Sequence, residues 1–391
     1  MQTISLTLLL AVAALAAAQT PASAPAVWQM QNSGTTACLR GIFSVDGTVA
    51  WASGTDGTVL RTIDGGAHWK KCAVPDAAED GSTLDFRGVQ AWDAETAIVM
   101  SSGKGRLSRL YKTKDGCKAW KLVFKNPDID GFWDALYFGQ GQYGWLLGDP
   151  VRGMFSLFFS YDTGRTWIKQ RNKGLRVKQG SQAAFAASNS SLSSSGSPDF
   201  GSGGTAGAFM FSLEEVEICI HCSWEESDVE GRRSKWSQDR VPVGKDTDSS
   251  GIFSIGLRDS IKDASPYNRV LVAVGGDYSS PNETLNTAAF KISYDRPWTA
   301  STTPPHGFRS AVQWSEALKA WITVGTNGSD ISRDDGKTWQ PLDDGNWNAL
   351  SLPFVVGPNG RIAKMNPAAL AVATVTKGTP SGTESTPDTV K

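Results

Sequence analysis

The sequence is poor in several residue types that particular functions require. Its 391 residues include only three histidines, so a Ser-His-Asp catalytic triad cannot be argued from it. It has no Gly-x-Gly-x-x-Gly segment that opens a helix after a strand, which argues against a dinucleotide-dependent oxidoreductase. The formal net charge is −1, so nothing marks a surface for nucleic acid. We therefore predict no cofactor, no metal and no nucleic-acid partner.

Long apolar runs are also scarce, and the one clear example lies at the N-terminus. Residues 1–19 hold an apolar stretch followed by small residues, which is typical of a secretory signal peptide and too short for a membrane span. A hydrophobic N-terminal helix is the alternative, because Lys and Arg are missing before the run. We expect an exported protein, secreted or periplasmic, with no membrane span.

The cysteines are few and odd in number, at positions 38, 72, 117, 219 and 222. In an exported protein disulfides are permitted, and one cysteine of an odd set stays free or pairs between chains. Cys219-Ile-His-Cys222 has the spacing of redox and zinc motifs, but no second pair of ligands lies nearby. A local disulfide or buried thiols explain this segment better than a metal.

What the sequence does contain, in several copies, is a short motif that first occurs as Thr62-Ile-Asp-Gly-Gly-Ala-His-Trp69. In each full copy the tryptophan follows the aspartate by five residues. The pairs are Asp64 and Trp69, Asp115 and Trp120, Asp162 and Trp167, and Asp334 and Trp339, with a shortened copy at Asp295 and Trp298. Aspartate can accept hydrogen bonds from N–H groups two or three residues on, and glycine supplies unusual backbone angles. The motif therefore predicts a structural turn, with a calcium site as the alternative.

Two further patterns recur between these turns and indicate the fold class. One is a strand that ends in glycine, such as Ala50-Trp-Ala-Ser-Gly54, and the other opens an earlier strand, such as Leu39-Arg-Gly-Ile-Phe43. The openings number seven, and the fourth is Phe185-Ala-Ala-Ser-Asn189. This spacing predicts an all-β fold, a seven-bladed β-propeller of four-stranded antiparallel blades over residues 26–368. The turn motif would join the two outer strands of a blade.

The two ends of this region and its middle depart from the regular repeat. The last blade lacks a final strand, and Val27-Trp-Gln-Met-Gln31 is expected to supply it and to close the ring. An irregular insertion is expected at about residues 173–250, where Ser, Gly and Asn are frequent. Residues 369–391 are rich in Thr, Ser, Pro and Gly and are expected to form a disordered tail. We predict a monomer.

The seven openings also predict a ring of side chains around the central channel, with a second tier after the glycine-ended strands. Three arginines and one aspartate would converge there and suit a carboxylate or phosphate group, and Asn189 and Ser254 would complete the ring. The candidate ligand-binding residues of both tiers are Arg40, Arg87, Asp134, Asp149, Asp277, Arg309, Asp330 and Asn348. The alternative is that the arginines pair with these aspartates and only hold adjacent blades in register.

The turn motif resembles the Asp box of bacterial-neuraminidase-type (BNR) repeat proteins, which are β-propellers. Leu39-Arg-Gly41, followed by the run from Trp51 to Gly66, is similar to the photosystem II stability/assembly factor family. Phe132-Trp-Asp-Ala135, Leu147-Gly-Asp-Pro150, Gly275-Gly-Asp-Tyr278 and Phe308-Arg-Ser-Ala-Val312 resemble its bacterial, non-photosynthetic branch. The resemblance covers most of residues 27–364 and implies a secreted or lumenal seven-bladed propeller. Photosynthetic members are assembly chaperones that bind partner proteins through an arginine-rich patch, for which Arg40, Arg87 and Arg309 are candidates.

Two functions follow from these observations. The first is an exported, non-catalytic propeller that binds a protein or an anionic small ligand at the channel mouth and assists assembly or stability of an envelope complex. The alternative is a sialidase-like glycoside hydrolase, because sialidases hold a carboxylate with an arginine cluster. Such an enzyme also needs a tyrosine nucleophile with a glutamate partner, and an aspartate acid/base. Tyr278 is the only tyrosine near an expected channel position, Asp134 could be the acid, and Glu283 lies on a following loop.

Overall fold

The computed structural model describes residues 26–75, 84–139, 142–171, 173–178, 181–194, 197–218, 232–259 and 269–370. The predicted signal peptide, most of the predicted tail and the cysteines at 219 and 222 lie outside these ranges. Trp28–Met365 forms one compact unit, and the described residues that flank it, 26–27 and 366–370, belong to another. In the flanking unit, the backbone N–H of Asn366 donates to the carbonyl of Val27. None of the helices in the described ranges has the length and hydropathy that a membrane span requires.

Seven antiparallel sheets of four strands each form the blades of the propeller. The N-terminal strand β1 (Trp28–Gln31) belongs to blade 7. Blade 1 consists of β2 (Leu39–Ser44), β3 (Ala50–Gly54), β4 (Val59–Thr62) and β5 (Lys70–Cys72). Blade 2 consists of β6 (Phe86–Ala91), β7 (Ala97–Ser101), β8 (Arg109–Thr113) and β9 (Lys121–Lys125). Blade 3 consists of β10 (Trp133–Phe138), β11 (Gly144–Val151), β12 (Met154–Ser160) and β13 (Ile168–Lys169).

The remaining blades follow the same order along the chain. Blade 4 consists of β14 (Leu192–Ser194), β15 (Pro198–Gly201), β16 (Phe209–Ile218) and β17 (Arg232–Arg240). Blade 5 consists of β18 (Ser250–Asp259), β19 (Arg269–Asp277), β20 (Ala288–Lys291) and β21 (Thr299–Ala300). Blade 6 consists of β22 (Ala311–Ser315), β23 (Ala320–Gly325), β24 (Gly328–Ser332) and β25 (Gln340–Asp343). Blade 7 consists of β26 (Ala349–Ser351), β27 (Phe354–Val356), β28 (Ile362–Met365) and β1, and short 3₁₀ helices occur at Gly105–Leu107 and Lys173–Leu175.

The first strand of each blade lies at the centre of the ring. It contacts the first strands of both neighbouring blades all the way round, so these strands line the central channel. The second strand is enclosed between adjacent blades, as in Ala97–Ser101, where all five residues are buried. Burial on both faces explains why such strands are continuous apolar runs rather than alternating ones. The predicted seven-bladed β-propeller is confirmed.

Blade 7 is completed by the N-terminal strand, as the sequence predicts. β1 pairs antiparallel with β28, with Trp28 opposite Met365 and Gln31 opposite Ile362. The indole Nε1 of Trp28 also donates to Ser329 Oγ of blade 6 over 3.0 Å. The two ends of the propeller chain therefore share one sheet, which leaves no open edge between the first and last blades.

The repeated motif forms the turn between the third and fourth strands in blades 1, 2, 3, 5 and 6. In the first copy the Thr62 hydroxyl donates to Asp64 Oδ1 over 2.8 Å and accepts from the N–H of Gly66 over 3.0 Å. Asp64 Oδ1 accepts from the N–H of His68 over 3.0 Å, and this bond is the main reason why the pKa of Asp64 lies well below its usual range. These bonds all lie within the turn, which is what a structural role requires.

The other full copies share this geometry. They show that one detail of the sequence prediction, the distance along the chain from the aspartate to its N–H donors, was wrong. Asp115, Asp162 and Asp334 accept from N–H groups three or four residues on, rather than two or three. The turns are longer because each contains two consecutive residues with positive φ, such as Gly65 at 71° and Gly66 at 89°. Whether the repeats belong to the BNR class stays a prediction.

Each turn ends in a tryptophan that packs on the preceding blade. Trp120 of blade 2 meets Trp51 of blade 1 edge-on, with ring centroids 6.2 Å apart. Trp69 of blade 1 meets Phe354 of blade 7 in the same way at 5.8 Å. Similar contacts across neighbouring blades are made by Trp167, Trp298, Trp339 and, in blade 7, Trp28. The motif therefore stabilises the ring by linking a local turn to an interface between blades.

Two features of the structure lie outside the sequence prediction. The first strand of blade 4 is β14, whereas the expected opening at residues 185–189 is irregular. The prediction was wrong because Asn189 has a φ of 66°, which lies in the left-handed region and outside the β region. Cys72 and Cys117 form a disulfide that joins the outer parts of blades 1 and 2. Among the described cysteines, Cys38 is a free thiol.

Candidate functional site

A cavity of about 370 Å³ opens at the mouth of the central channel, and we call it the mouth cavity. Five of the eight predicted ligand-binding residues line it: Arg40, Arg87, Asp134, Asp149 and Asn348. They come from β2, β6, β10, β11 and the start of blade 7. The repeat places them together because residues at equivalent positions of successive blades lie at similar heights around the axis.

Arg40 and Arg87 share one carboxylate, that of Asp85. Arg40 Nε lies 3.2 Å from Asp85 Oδ1, and Arg87 Nε donates to Asp85 Oδ2 over 2.8 Å. The Arg87 guanidinium also donates to the carbonyl of Ala186 over 3.3 Å and lies 5.9 Å from the ring centre of Phe132. The three charged side chains are partly exposed, between 23% and 29%. This side of the cavity therefore presents two cations for one neighbouring anion.

Asp134 and Asp149 are carboxyl groups on the same side of the mouth cavity, the first buried and the second half-buried. Asp134 is 1% exposed, and burial, together with the nearby charge of Asp149, raises its pKa well above the usual range despite the opposing effect of Arg87. Its Oδ2 has no hydrogen-bond partner among the described residues. Burial also raises the pKa of Asp149 to about 6, although its Oδ1 accepts from the N–H of Ala184 over 3.1 Å. The charge of the cavity therefore changes near neutral pH.

Aromatic rings form the opposite side of the mouth cavity. Phe185 stacks on Phe253 with centroids 4.0 Å apart, and Phe308 meets Phe253 edge-on at 4.7 Å. Tyr278 lies 6.0 Å from Phe253 and is 53% exposed. The cavity is thus amphipathic, with arginines and carboxyl groups from blades 1 to 3 facing rings from blade 4 onward.

The segment before β14 fills the channel beneath the cavity. Leu136 N–H of blade 3 donates to Asn189 Oδ1 over 2.7 Å. The Ser188 hydroxyl donates to the carbonyl of Ser310 at blade 6 over 2.6 Å, and Ser190 Oγ lies 2.7 Å from Ser254 Oγ of blade 5. One short segment therefore bonds to inner strands on opposite sides of the channel. The mouth cavity has a floor, and a ligand would enter from one face only.

The structure places Arg309 and Asp330 away from the mouth cavity, which corrects their assignment to the same ring. Arg309 is fully buried, and its Nε donates to Asp330 Oδ2 over 2.6 Å. Its Nη1 donates to Asn327 Oδ1 over 2.6 Å, and His306 Nδ1 lies 2.8 Å from Asp330 Oδ1. Because a buried carboxylate needs a charged partner, the Arg309 side chain pairs with Asp330 inside blade 6 and does not point into the mouth cavity. This pair fits the structural alternative, although it acts within blade 6 rather than between blades.

Asp277 also lies beside the mouth cavity rather than in it. It accepts from Thr247 Oγ1 over 3.1 Å and from the N–H of Ser279 over 2.9 Å. The next residue, Tyr278, lines the cavity instead. Successive side chains of an extended segment point to opposite sides, so only one of the two can face the ligand space. Sequence reasoning also missed Asp85, whose only signal is its place two residues before Arg87.

The comparisons with known proteins support the fold. No protein-family model matches the chain, and no curated protein matches it in sequence. The chain is similar in fold to YCF48. YCF48 from Cyanidioschyzon merolae is 18% identical with a TM-score of 0.53, and the match covers 88% of this chain and 99% of that chain. A structure of YCF48 bound to D1 peptide is 15% identical with a TM-score of 0.51 and the same coverage.

Proposed function

We propose that this protein is an exported, non-catalytic propeller that binds a protein partner or an anionic ligand at the channel mouth and assists assembly or stability of an envelope complex. The observation that carries the proposal is the pair of arginines, Arg40 and Arg87, that line the mouth cavity and share the single carboxylate of Asp85. Guanidinium groups bind carboxylates and phosphates through paired hydrogen bonds. The predicted N-terminal signal peptide supports the export.

The protonation state of Asp149 changes the net charge of the mouth cavity. With a pKa of about 6, this carboxyl is ionised at neutral pH and offsets one arginine, whereas below that value it is neutral. An anion therefore binds best when Asp149 is protonated, so binding takes up a proton and becomes tighter as the pH falls from about 7 to about 5.

The aromatic side of the cavity favours a peptide segment over an inorganic ion. Phe185, Phe253 and Phe308 offer apolar area next to the arginines, and aromatic and arginine side chains are frequent in the energetically important centres of protein interfaces. The similar structure of YCF48 holds a D1 peptide. The resemblance to the assembly factor family adds to this, and we propose a partner segment that places an acidic group beside an apolar side chain.

The experiment is a comparative pull-down from envelope extract of the source cells. The mature protein is compared with the Arg40→Ala/Arg87→Ala variant and with Arg165→Ala/Arg296→Ala, which removes two exposed arginines from turns on the other face. We expect a partner that the wild type and the second variant retain and the first variant loses. Equal retention by all three proteins would refute the proposal.

The glycoside hydrolase is the second candidate, and one observation favours it. Burial and the charge of Asp149 raise the pKa of Asp134, which favours the protonated form that a general acid needs, and Tyr278 lies at the same mouth. Against it, Arg309 is buried in its own ion pair, and the carboxylate of Glu283 is paired with Lys245. A fluorogenic sialoside assay on the same preparations should show no turnover, and turnover lost in Asp134→Asn would reverse the ranking.

A further inference from the structure

A second and larger cavity, of about 650 Å³, lies on blade 3 beside the mouth cavity. It is bounded by the loop before β10, the hairpin between β11 and β12, and the segment after β13. In a four-stranded meander these connections all lie at the end of the blade where the first strand begins, which is the face of the channel mouth. Asp149 lines the mouth cavity and the next residue, Pro150, lines the second cavity. The two cavities are therefore neighbours, and we call the second the blade-3 groove.

The blade-3 groove is strongly basic. Its lining includes five cationic side chains: Arg152, Lys169, Arg171, Lys173 and Arg176. Both of its acidic residues are already paired, Asp128 with Lys169 and Asp130 with Lys104, whose Nζ lies 3.0 Å from the Asp130 carboxylate. In the part of the chain that the structure describes, the exposed guanidinium groups of Arg152 and Arg176 have no hydrogen-bond or ion-pair partner.

Apolar side chains accompany these cations. Phe155 forms a buried wall, Val151 and Met154 are half-buried, and Ile129 at the rim is 83% exposed. An inorganic ion would use the cations and leave this apolar area in water. A chain of alternating acidic and apolar side chains would use both, because successive side chains of an extended peptide point to opposite sides.

We propose that the blade-3 groove binds an extended acidic segment of the partner, which continues from there into the mouth cavity. Its carboxylates pair with Arg152 and Arg176, its apolar side chains cover Ile129 and Met154, and the chain passes Pro150 to reach Arg87. The inference rests on the proposed function and specifies its ligand by charge complementarity. The groove has five cations and two acidic residues, and both acidic residues are already paired, so a segment with several acidic residues supplies carboxylates for Arg152 and Arg176. Binding therefore weakens with salt.

The test uses fluorescence anisotropy of the mature full-length protein with a labelled synthetic peptide. The probe alternates Glu and Val over about ten residues, which extend to roughly 33 Å, and its twin carries Gln in place of every Glu. Four proteins are compared: the wild type, Arg152→Ala/Arg176→Ala, Arg40→Ala/Arg87→Ala, and the control Arg165→Ala/Arg296→Ala. All substitutions replace exposed or partly exposed side chains, so each variant is expected to fold, and thermal unfolding checks this.

We expect the wild type to bind the acidic probe at least about tenfold more tightly than the twin. Arg152→Ala/Arg176→Ala should lose most of this preference, and the control should stay within about twofold of the wild type. Equal losses in the groove variant and the control would show non-specific charge attraction and overturn the inference. So would a wild type that does not discriminate probe from twin, or inorganic tripolyphosphate that competes as well as the acidic probe.

The same data separate this inference from the proposed function. Loss of binding in the Arg40→Ala/Arg87→Ala variant alone would keep the mouth cavity as the binding site and refute the blade-3 groove. Loss in the Arg152→Ala/Arg176→Ala variant alone would support the groove and refute the mouth cavity as the place where the partner binds. Losses in both variants, with the control unchanged, would support one peptide path across the two cavities.

Discussion

Arg87 and Arg309 follow a phenylalanine at equivalent places in blades 2 and 6, yet they have opposite surroundings. The Arg87 side chain is 27% exposed, lines the mouth cavity and pairs with Asp85 at the surface. The Arg309 side chain is fully buried and pairs with Asp330, which is 1% exposed. The recurring motif thus determines the backbone position of the arginine on its blade. The position of the nearest carboxylate determines whether the arginine side chain points to the ligand cavity or into the core.

The largest effect is expected from breaking the buried pair. Arg309→Ala would leave the carboxylate of Asp330 buried without its main partner, and such losses cost about 3 to 5 kcal/mol of unfolding free energy. Denaturant unfolding followed by tryptophan fluorescence would measure the change. The double variant Arg309→Met/Asp330→Leu removes both charges together and should recover much of the loss. A single variant as stable as the wild type would mean that the pair is not structural.

A smaller effect, dependent on pH, is expected from Asp149→Asn in the mouth cavity. The pKa of Asp149 in the folded protein is about 6, above its value in the unfolded chain, so the folded state binds more protons between about pH 4 and about pH 6. The ionisation of this group therefore lowers stability as the pH rises through that window. The asparagine variant should be more stable than the wild type by up to about 3 kcal/mol at pH 7 and equally stable near pH 4.

Unfolding curves of the wild type and Asp149→Asn at both pH values would measure this difference. Asp134 is the neighbour that complicates it, because part of its own raised pKa comes from the charge of Asp149. Measuring Asp134→Asn and the double variant Asp134→Asn/Asp149→Asn as well isolates the part of the stability change that comes from the interaction between the two carboxyl groups. A gain of the same size at both pH values would assign the effect to packing instead of charge.

The repeated motifs were enough to predict the blades, because each turn is a local feature in which the tryptophan of every full copy follows the aspartate by five residues. It was not enough to predict the site. Asp85 occupies a position where other openings have no acidic residue, so no pattern marks it. The segment around Asn189 has the composition of an opening, and only its positive φ and its bonds to distant inner strands make it the floor of the channel. Both features depend on contacts between distant parts of the chain.

A third and smaller effect on stability is expected from the outer turn of blade 6, which contains neither residue of the buried ion pair. Asp334 lies in the outer turn of that blade and accepts from the N–H of Thr338 over 2.9 Å and from its hydroxyl over 2.6 Å. Asp334→Ala removes these bonds and should cost about 1 kcal/mol. Asp334→Asn keeps one acceptor oxygen and should cost less, whereas equal losses in both variants would point to a bound cation at the carboxylate. Unfolding with and without added calcium decides between these two outcomes.

The smallest effect on stability is expected from Arg87→Ala, and it gives the sharpest contrast with Arg309→Ala. Asp85 keeps Arg40 as a partner when Arg87 is removed, and partly exposed ion pairs contribute about 0 to 1 kcal/mol. Unfolding free energy should therefore stay close to that of the wild type, while anisotropy with the acidic probe should show binding weakened about tenfold or more. Arg87→Lys keeps the charge but loses the planar fork, so it should restore binding only in part. If Arg87→Ala instead lost as much stability as Arg309→Ala and bound the probe normally, both arginines would be structural. The proposal that the mouth cavity binds a ligand would then be refuted.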